Sequence, residues 1–429
     1  MIYENWLYTG LLNIKSVHCP PLNSEIKTEC LVVGGGFAGL HAALKLAEGG
    51  KKVVLLEKGI CGSGSSGKSA GFLTPESEED MSKLINSLGN QEAKIVYNIP
   101  LRGVEIIINN IKKYKFHCDL RKQDSFYFSK KKSHNQNIIE EAEVRSEAKL
   151  SYQLFDKNKL SKVHPGRDYL IGLKYPGSYG INSLAYTQEM KNILIKKGVR
   201  IFEDSEVHKI EGNTLKTHLG SVTAKNIIIC IDKMKSELNE DISKKYYHVQ
   251  TYLAISEPLS KNEMKDIFPE EELMCWDTRW NYAHYRPVNG NRLIIGGSSN
   301  ATLYSKDYLR NPKIIQFFID ELKYSFPTIK DLAFTHYWAG MIDVTKDFSP
   351  IADYDPRNKS IQYVLGCAGL PWATFCGEYL ANRILNPKDT QDLSKFLGIN
   401  RKFFISDSIQ RIIGKKLSFA LSHLRNLYK

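Results

Sequence analysis

No stretch of this 429-residue chain approaches the ~20 consecutive apolar residues of a membrane-spanning helix. The opening Met1-Ile2-Tyr3-Glu4-Asn5-Trp6 has neither the basic start nor the apolar core of a secretory leader, so none is expected. None of the eight cysteines, Cys19, Cys30, Cys61, Cys118, Cys230, Cys275, Cys367 and Cys376, forms a C-x-x-C pair. That argues against zinc sites and thioredoxin-like redox motifs, and for reduced thiols in a cytosolic protein. His18, His248 and His336 show no metal-ligand spacing, so no metal is expected. Internal repeats are missing too. Acid is scarcer than base, 47 Asp and Glu against 59 Lys and Arg, for a net charge of +12. Such a balance suits nucleic acid, an anionic membrane, acidic substrates, or only a Lys-rich composition. The 42% apolar share argues against wholesale disorder, and the length suggests two or three domains.

What is present begins at Cys30-Leu31-Val32-Val33, a short apolar run of the kind that forms a buried parallel strand. It leads into Gly34-Gly35-Gly36-Phe37-Ala38-Gly39, which fits G-x-G-x-x-G. Leu40, Ala43, Leu44 and Ala47 then recur at helical spacing until Gly49-Gly50, and a second strand, Val53-Val54-Leu55-Leu56, ends in Glu57. Gly34 permits the tight turn, Gly36 a close backbone approach to pyrophosphate, and Gly39 close packing of helix on strand. The helix start offers free N–H groups to that pyrophosphate. Glu57 can accept both ribose hydroxyls. With strand, helix, strand and acid in register, the unit reads as dinucleotide-binding.

No second G-x-G-x-x-G follows a strand, which argues against reductases that need two nucleotide folds. A second glycine-rich loop, Gly62 to Phe72, comes directly after Glu57. Its small and hydroxyl residues could pack around an extended cofactor, with Lys68 on phosphate.

At these residues the chain resembles the D-amino-acid-oxidase-like flavoprotein superfamily, and within it the branch of γ-glutamylputrescine oxidase and glycine or sarcosine oxidase-like proteins. Gly62 to Phe72 is similar to that branch's G-S-G-A-S-G-R-N-G-G-F-like loop. Trp338-Ala339-Gly340 through Pro350 resembles its W-x-G-x-x-x-x-T-x-D-x-x-P stretch, and Gly366 to Ala373 precedes an apolar helix, Phe375 to Leu385. The resemblance implies an α/β fold: a Rossmann-like FAD-binding domain of the GR2 type with an inserted α+β substrate domain on an antiparallel sheet. On this reading 1–27 is an N-terminal lead, and 28–84, 180–236 and 336–390 form a discontinuous FAD-binding domain. Residues 85–179 and 237–335 form the substrate domain, and 391–429 a basic tail.

The resemblance also implies non-covalent FAD against Gly34, Gly36, Phe37, Ala38, Gly39, Glu57, Lys58, Ser65, Ser66, Lys68, Ser69, Ala70, Gly71, Phe72, Val207, Gly366, Gly369, Leu370, Pro371 and Trp372. The last helix would face the flavin with its N-terminus, although the family's usual S-G-H-G is here Ala368-Gly369-Leu370-Pro371, and Pro371 has no N–H to donate. The implied activity is oxidation of a C–N bond in a small amine or amino acid by hydride transfer to flavin N5, the imine then being hydrolysed. Flavin carries that chemistry, so no firm catalytic side chain is named; Lys68 is the candidate for assisting oxygen reduction. Arg286 could clamp a carboxylate or support the sheet, and Tyr285 and Trp338 could wall the substrate or belong to the core.

The excess of base is concentrated in the tail. Residues 401–429 hold seven bases, Arg401, Lys402, Arg411, Lys415, Lys416, Arg425 and Lys429, against Asp407 alone, which is half of the chain's +12. Ile409, Ile412, Ile413, Leu417, Ala420, Leu421, Leu424 and Leu427 follow helical spacing there. Such a helix could lie on an anionic bilayer or dock on the protein itself. The acceptor expected is O2 or, for a membrane-peripheral dehydrogenase, quinone, and the location is cytoplasmic or peripheral at the inner face of the membrane. A tRNA-modifying role ranks last, since no basic stripe interleaved with aromatics appears outside the tail.

Overall fold

Short apolar runs punctuated by glycine become the parallel strands of one sheet. The computed structural model describes the backbone of residues 1–427 apart from 77–78, 301, 303 and 305–307, and their side chains apart from 12, 13 and 425–427. The elements that place the site are, in chain order, β1 (Glu25–Val33), α1 (Phe37–Glu48), β2 (Val53–Leu56), α2 (Asn90–Tyr114), β3 (Ser221–Ile229), β4 (Tyr246–Ser256), β5 (Phe334–Thr345), β6 (Ile361–Leu365), α3 (Leu370–Leu385), α4 (Asp407–Ile413) and α5 (Lys415–Leu427).

In the first sheet β1 lies between β2 and β3, all parallel, with Val33 opposite both Leu56 and Ile229. A short strand, Arg200–Phe202, runs parallel to β2 on its outer side. β6 runs parallel to β3, and Tyr363 stands opposite Ile229. Four strands therefore end at one level, and the residues just past their ends, Gly34, Glu57, Cys230 and Gly366, gather at one rim. That rim, outside the carboxyl ends of parallel strands, is where such sheets bind ligands.

α1, α2 and α3 cover one face. Leu40, Ala43 and Leu44 of α1 share a core with Val32, Leu55, and Phe375 and Leu380 of α3. α2 adds Val96, Ile99, Val104, Ile107 and Ile108 to that same core. Each such side chain contributes ~1.5–3 kcal/mol on burial. α2 thus belongs with the nucleotide-type sheet, not with the substrate sheet to which the sequence assigns residues 85–179.

Among the described residues the second sheet has nine strands, in the order Ile2–Tyr3, β5, β4, Arg292–Gly297, His284–Val288, Leu273–Asp277, Asp124–Ser129, Ile171–Tyr175, Gln153–Asp156. β4 and β5 pair antiparallel from Tyr246↔Thr345 to Ser256↔Phe334, so residues 336–345 sit in this sheet and not in the FAD-binding part expected from position 336. The segment read as a lead is also anchored: Ile2 and Tyr3 pair with His336 and Tyr337, and Asn5 Nδ2 donates to Gly67 O at 2.8 Å. Alternation along β4 and β5 turns Val249, Thr251, Ile342 and Val344 toward the first sheet, where Val249 and Val344 pack on Ala368. The other face carries Tyr252 and Ala339, closed by Phe318, Ile319 and Leu322 of the helix Pro312–Ser325.

The tail forms two helices instead of one, because Gly414 at φ 86° breaks the run between α4 and α5. Their amphipathicity is inverted. Ser418, Phe419, Ser422 and His423 are buried, whereas Ile409, Ile412, Leu417, Leu421 and Leu424 are exposed, Ile412 by 84%. The side chains of Arg425 and Leu427, and Lys429 altogether, lie outside the described residues. Among the described residues no helix is long and apolar enough to cross a membrane, no His, Cys, Asp and Glu cluster could hold a metal ion, and the eight cysteines are free thiols.

Candidate functional site at the rim of two sheets

The rim is a cradle that only missing side chains permit. Gly34 has φ 103°, and a Cβ there would lie 2.1 Å from Cys230 O; one on Gly39 would lie 1.9 Å from Gly34 O. The turn, the helix start and the neighbouring strand end are therefore in backbone contact. α1 begins at Phe37 after Gly36 with no side-chain cap and no acid in its first turn. The Phe37 N–H donates to Ser66 Oγ at 3.0 Å, which brings the second glycine-rich loop over the helix start. Glu57 closes the other side: its carboxylate accepts Gly35 N–H at 2.7 Å and Gly59 N–H at 2.9 Å. Burial raises its pKa while those two amides pull it down.

Three lysines converge on this cradle. Burial and the Lys58 charge hold Lys68 below the ordinary lysine range. Lys233 is lowered by burial and, less strongly, by Lys58 and Lys68. Like charges gathered at an uncapped helix start suit a doubly charged pyrophosphate. The backbone cradle, the acid for the ribose and the cationic rim thus fit FAD. Lys68 Nζ and Lys233 Nζ lie 5.2 and 3.8 Å from the centre of the Tyr308 ring, on one common aromatic.

The glycine-rich loop is braced from beneath by a residue the sequence reading missed. Buried Glu203 accepts Cys61 N–H and Cys19 N–H, at 2.7 and 2.8 Å, and pairs with Lys191 at 3.2 Å. Ser65 Oγ donates to Met341 O on the open edge of β5. Ser69 Oγ accepts Gly71 N–H at 3.1 Å, Ala70 is buried, and Val207 packs with Val33 and Leu56 under the rim. At the far end α3 starts at Leu370 after Gly369, φ 110°, without a side-chain cap, and Pro371 fills its first turn. Leu370 and Trp372 then supply the amides of this turn. A helix start free of acid stabilises negative charge placed before it.

The substrate-side candidates separate. Arg286 is fully buried, donating to Ala70 O at 2.8 Å, Ile181 O at 2.6 Å and Pro287 O at 3.2 Å, with Gln123 Oε1 at 3.4 Å. It is a strut tying three chain segments, so its guanidinium is not presented to a substrate carboxylate. Burial lowers its pKa to about 10, which leaves it charged at neutral pH. Tyr285 points to the opposite face of the same strand, where its hydroxyl meets His164 Nε2 at 2.6 Å and Tyr169 at 2.9 Å inside an aromatic core. Trp338 is buried and donates to Lys68 O at 3.0 Å, so it fixes the loop that carries Lys68. The period-two alternation of the His284–Val288 strand decides this: neighbours 285 and 286 cannot share a face.

A half-buried aromatic group beside the end of the second glycine-rich loop comes from the even positions of that region. Phe72 lies 5.5 Å from His284, edge to face, and 6.3 Å from Trp276; Tyr282 lies 5.7 Å from His284. Burial lowers the His284 pKa to about 4, so the ring is neutral at pH 7. Asp232 sits apart from these residues, beside Ser65 of the second glycine-rich loop and Asp343, and enclosure together with Asp343 pushes it up to about 6. Asp343 itself is buried between Lys233 N–H at 2.8 Å and His248 Nδ1 at 2.5 Å, locking β5 to the strand end at 230–233. The alternation H-Y-R could have pointed to His284, but Asp232 and Lys233 follow a strand with no motif of their own.

Comparison with known proteins agrees with this geometry. A model of the DAO family, described as FAD dependent oxidoreductase, matches residues 29–383. The chain is 29% identical to the Probable oxidoreductase OrdL of Haemophilus influenzae over 394 residues, covering 89% of this chain and 88% of that protein. It is 27% identical to the Gamma-glutamylputrescine oxidoreductase of Escherichia coli over 355 residues, 81% of each. Among solved structures, glycine oxidase from Geobacillus kaustophilus superposes with a TM-score of 0.77 at 18% identity, over 88% of this chain and all of that one.

Proposed function

The chain belongs to the DAO family of FAD dependent oxidoreductases, and from that premise we propose that it oxidises a C–N bond of a small amine or amino acid to an imine, which water then hydrolyses. FAD, held without a covalent bond, supplies the two-electron acceptor. The chain's own part is to bind, orient and exclude water. Gly34, Gly36, Gly39 and the start of α1 would seat the pyrophosphate, Glu57 the ribose, and the start of α3 the charge that develops on reduction. The observation that carries the substrate class is the aromatic group Phe72, Trp276, Tyr282 and neutral His284. An aromatic wall suits an ammonium group, and Arg286 is engaged with carbonyls. The amine named in the Escherichia coli relative supports the same reading.

The test is anaerobic mixing of the yellow holoenzyme with putrescine, γ-glutamylputrescine, glycine and L-proline. Bleaching of the visible flavin band by the amines, more readily than by the amino acids, is the expected result. If none of a broad panel bleaches it, the substrate class is wrong.

A second reading concerns the acceptor. The outward apolar stripe of α4 and α5, flanked by exposed Lys402, Arg411 and Lys416, suits an anionic bilayer. Its like charge disfavours a second copy. Contact there would place the enzyme beside membrane quinone. Co-sedimentation with phosphatidylglycerol vesicles, compared with phosphatidylcholine and with Ile412→Asp, tests this; equal pelleting in all arms ends the membrane reading. O2 remains the acceptor to compare in turnover.

A further inference from the structure

We propose that the C-terminal segment 401–423 is a clamp on the loop 345–349, and that His423 and Arg401 are positioning residues for the aromatic cluster of Trp280, Tyr304 and Phe348, which forms the α3 end of the cleft. The segment lies wholly outside the residues matched by the family model, 29–383. Yet it contacts each of five consecutive residues of the loop that leaves β5. His423 Nε2 donates to Thr345 O at 2.8 Å. Lys346 Nζ donates to Ile405 O at 2.9 Å and pairs with Asp407 at 3.0 Å. Arg401 grips the Asp347 carboxylate with two parallel bonds, 2.9 and 2.8 Å, and also donates to Ser349 O. The Phe348 ring stacks on His423 with centres 4.2 Å apart and planes 19° apart.

Phe348 is the reason for the grip. Its φ is 57°, a conformation that side-chain-bearing residues adopt only where the surroundings fix it. In that conformation the ring closes the cluster of Val249, Val344 and Ala368, two residues before α3 begins, and meets Trp280 edge to face at 5.7 Å. The other nitrogen of His423 fixes the tautomer: with Nε2–H committed to Thr345 O, Nδ1 accepts the Tyr304 hydroxyl at 2.7 Å. One imidazole thus orders Tyr304, Phe348 and Trp280 together, at the end of the cleft where α3 starts. This positioning role goes beyond the amine reading, since it needs only that this end of the cleft receives substrate.

The experiment uses the FAD-loaded full chain, wild type, His423→Ala, and Arg401→Gln as the variant at the other end of the clamp should the first not fold. Amide exchange of residues 345–349 should speed up about tenfold in either variant, the scale of one lost buried hydrogen bond, while β4 and β5 amides keep their rates. The visible band of bound FAD should shift, and the KM of whichever of the four amine and amino-acid probes bleaches wild type should rise about tenfold with kcat changed less than about twofold. Unchanged exchange in the loop overturns the clamp. A loosened loop with unchanged flavin band overturns the positioning role. Exchange and the flavin band need no substrate, so failure of every probe to bleach the flavin counts against the amine reading and leaves the clamp decided.

Discussion

The two ends of the cleft are built by different means. The nucleotide end comes almost entirely from one run of sequence, Leu31 to Phe72, where backbone does the recognition and glycines keep side chains out. The proposed substrate end draws on residues near 72, 276–286 and 348, from separate strands and loops. Recognition by backbone leaves a motif, because the conformation itself demands glycine. Recognition by side chains leaves none, because any strand can present an aromatic once the register is set. Stability and specificity are accordingly concentrated at opposite ends.

That contrast can be broken in graded steps. The largest effect belongs to Gly39→Ala, whose Cβ would meet Gly34 O at 1.9 Å; overpacking of ~1–3 kcal/mol should weaken FAD retention by about tenfold or more. Flavin absorbance after desalting checks it, and a fully yellow variant would contradict the cradle. Next, Arg286→Met leaves the carbonyls of Ala70, Ile181 and Pro287 without their donor. At ~1–3 kcal/mol each, Tm should fall by about 3 °C or more, while KM for an amino acid relative to an amine stays the same. A selective loss of the amino acid would restore the carboxylate clamp.

Acid should act more mildly. His41, between Phe37 O and Tyr186, has its pKa lowered by burial to about 4, against an ordinary 6.5. Its folded form binds fewer protons than the unfolded chain between those values. Its contribution is therefore complete above pH 6.5 and lost as pH falls toward 4. Urea unfolding of wild type should lose about 1 kcal/mol per pH unit more than His41→Gln in that window; parallel curves would exclude it. The smallest change in stability is expected for Ile412→Asp, which should abolish vesicle binding and leave Tm within about 1–2 °C. A large Tm loss would mean that the outer face of α4 is covered by the protein itself.

The same contrast explains what could be read from sequence. The strand Val53–Leu56 coincides with its apolar run, and the start of α1 follows from its glycines. The partnership of α2 with α3 has no mark in the sequence, since an apolar stripe does not say which sheet it will cover. The sequence suggests Tyr285 and Arg286 as one site, although a strand must turn them apart. Arg286 also shows why a lone buried cation misleads: carbonyl partners are invisible in sequence. Gly414 is the converse case, a single residue from which the break in the tail could have been foreseen.

The pairing of Ile2 and Tyr3 with His336 and Tyr337 has a consequence for how the protein is made. The strand Ile2–Tyr3 must wait for the last of its sheet, more than 330 residues later. At ~5–20 residues per second that is a delay of about 20–60 s. β1 likewise waits for β3. Neither sheet can close until its later strands have been made, so the nascent protein carries unpaired strand edges for much of its synthesis, and disruption of the strand Ile2–Tyr3 would be felt at the edge of β5.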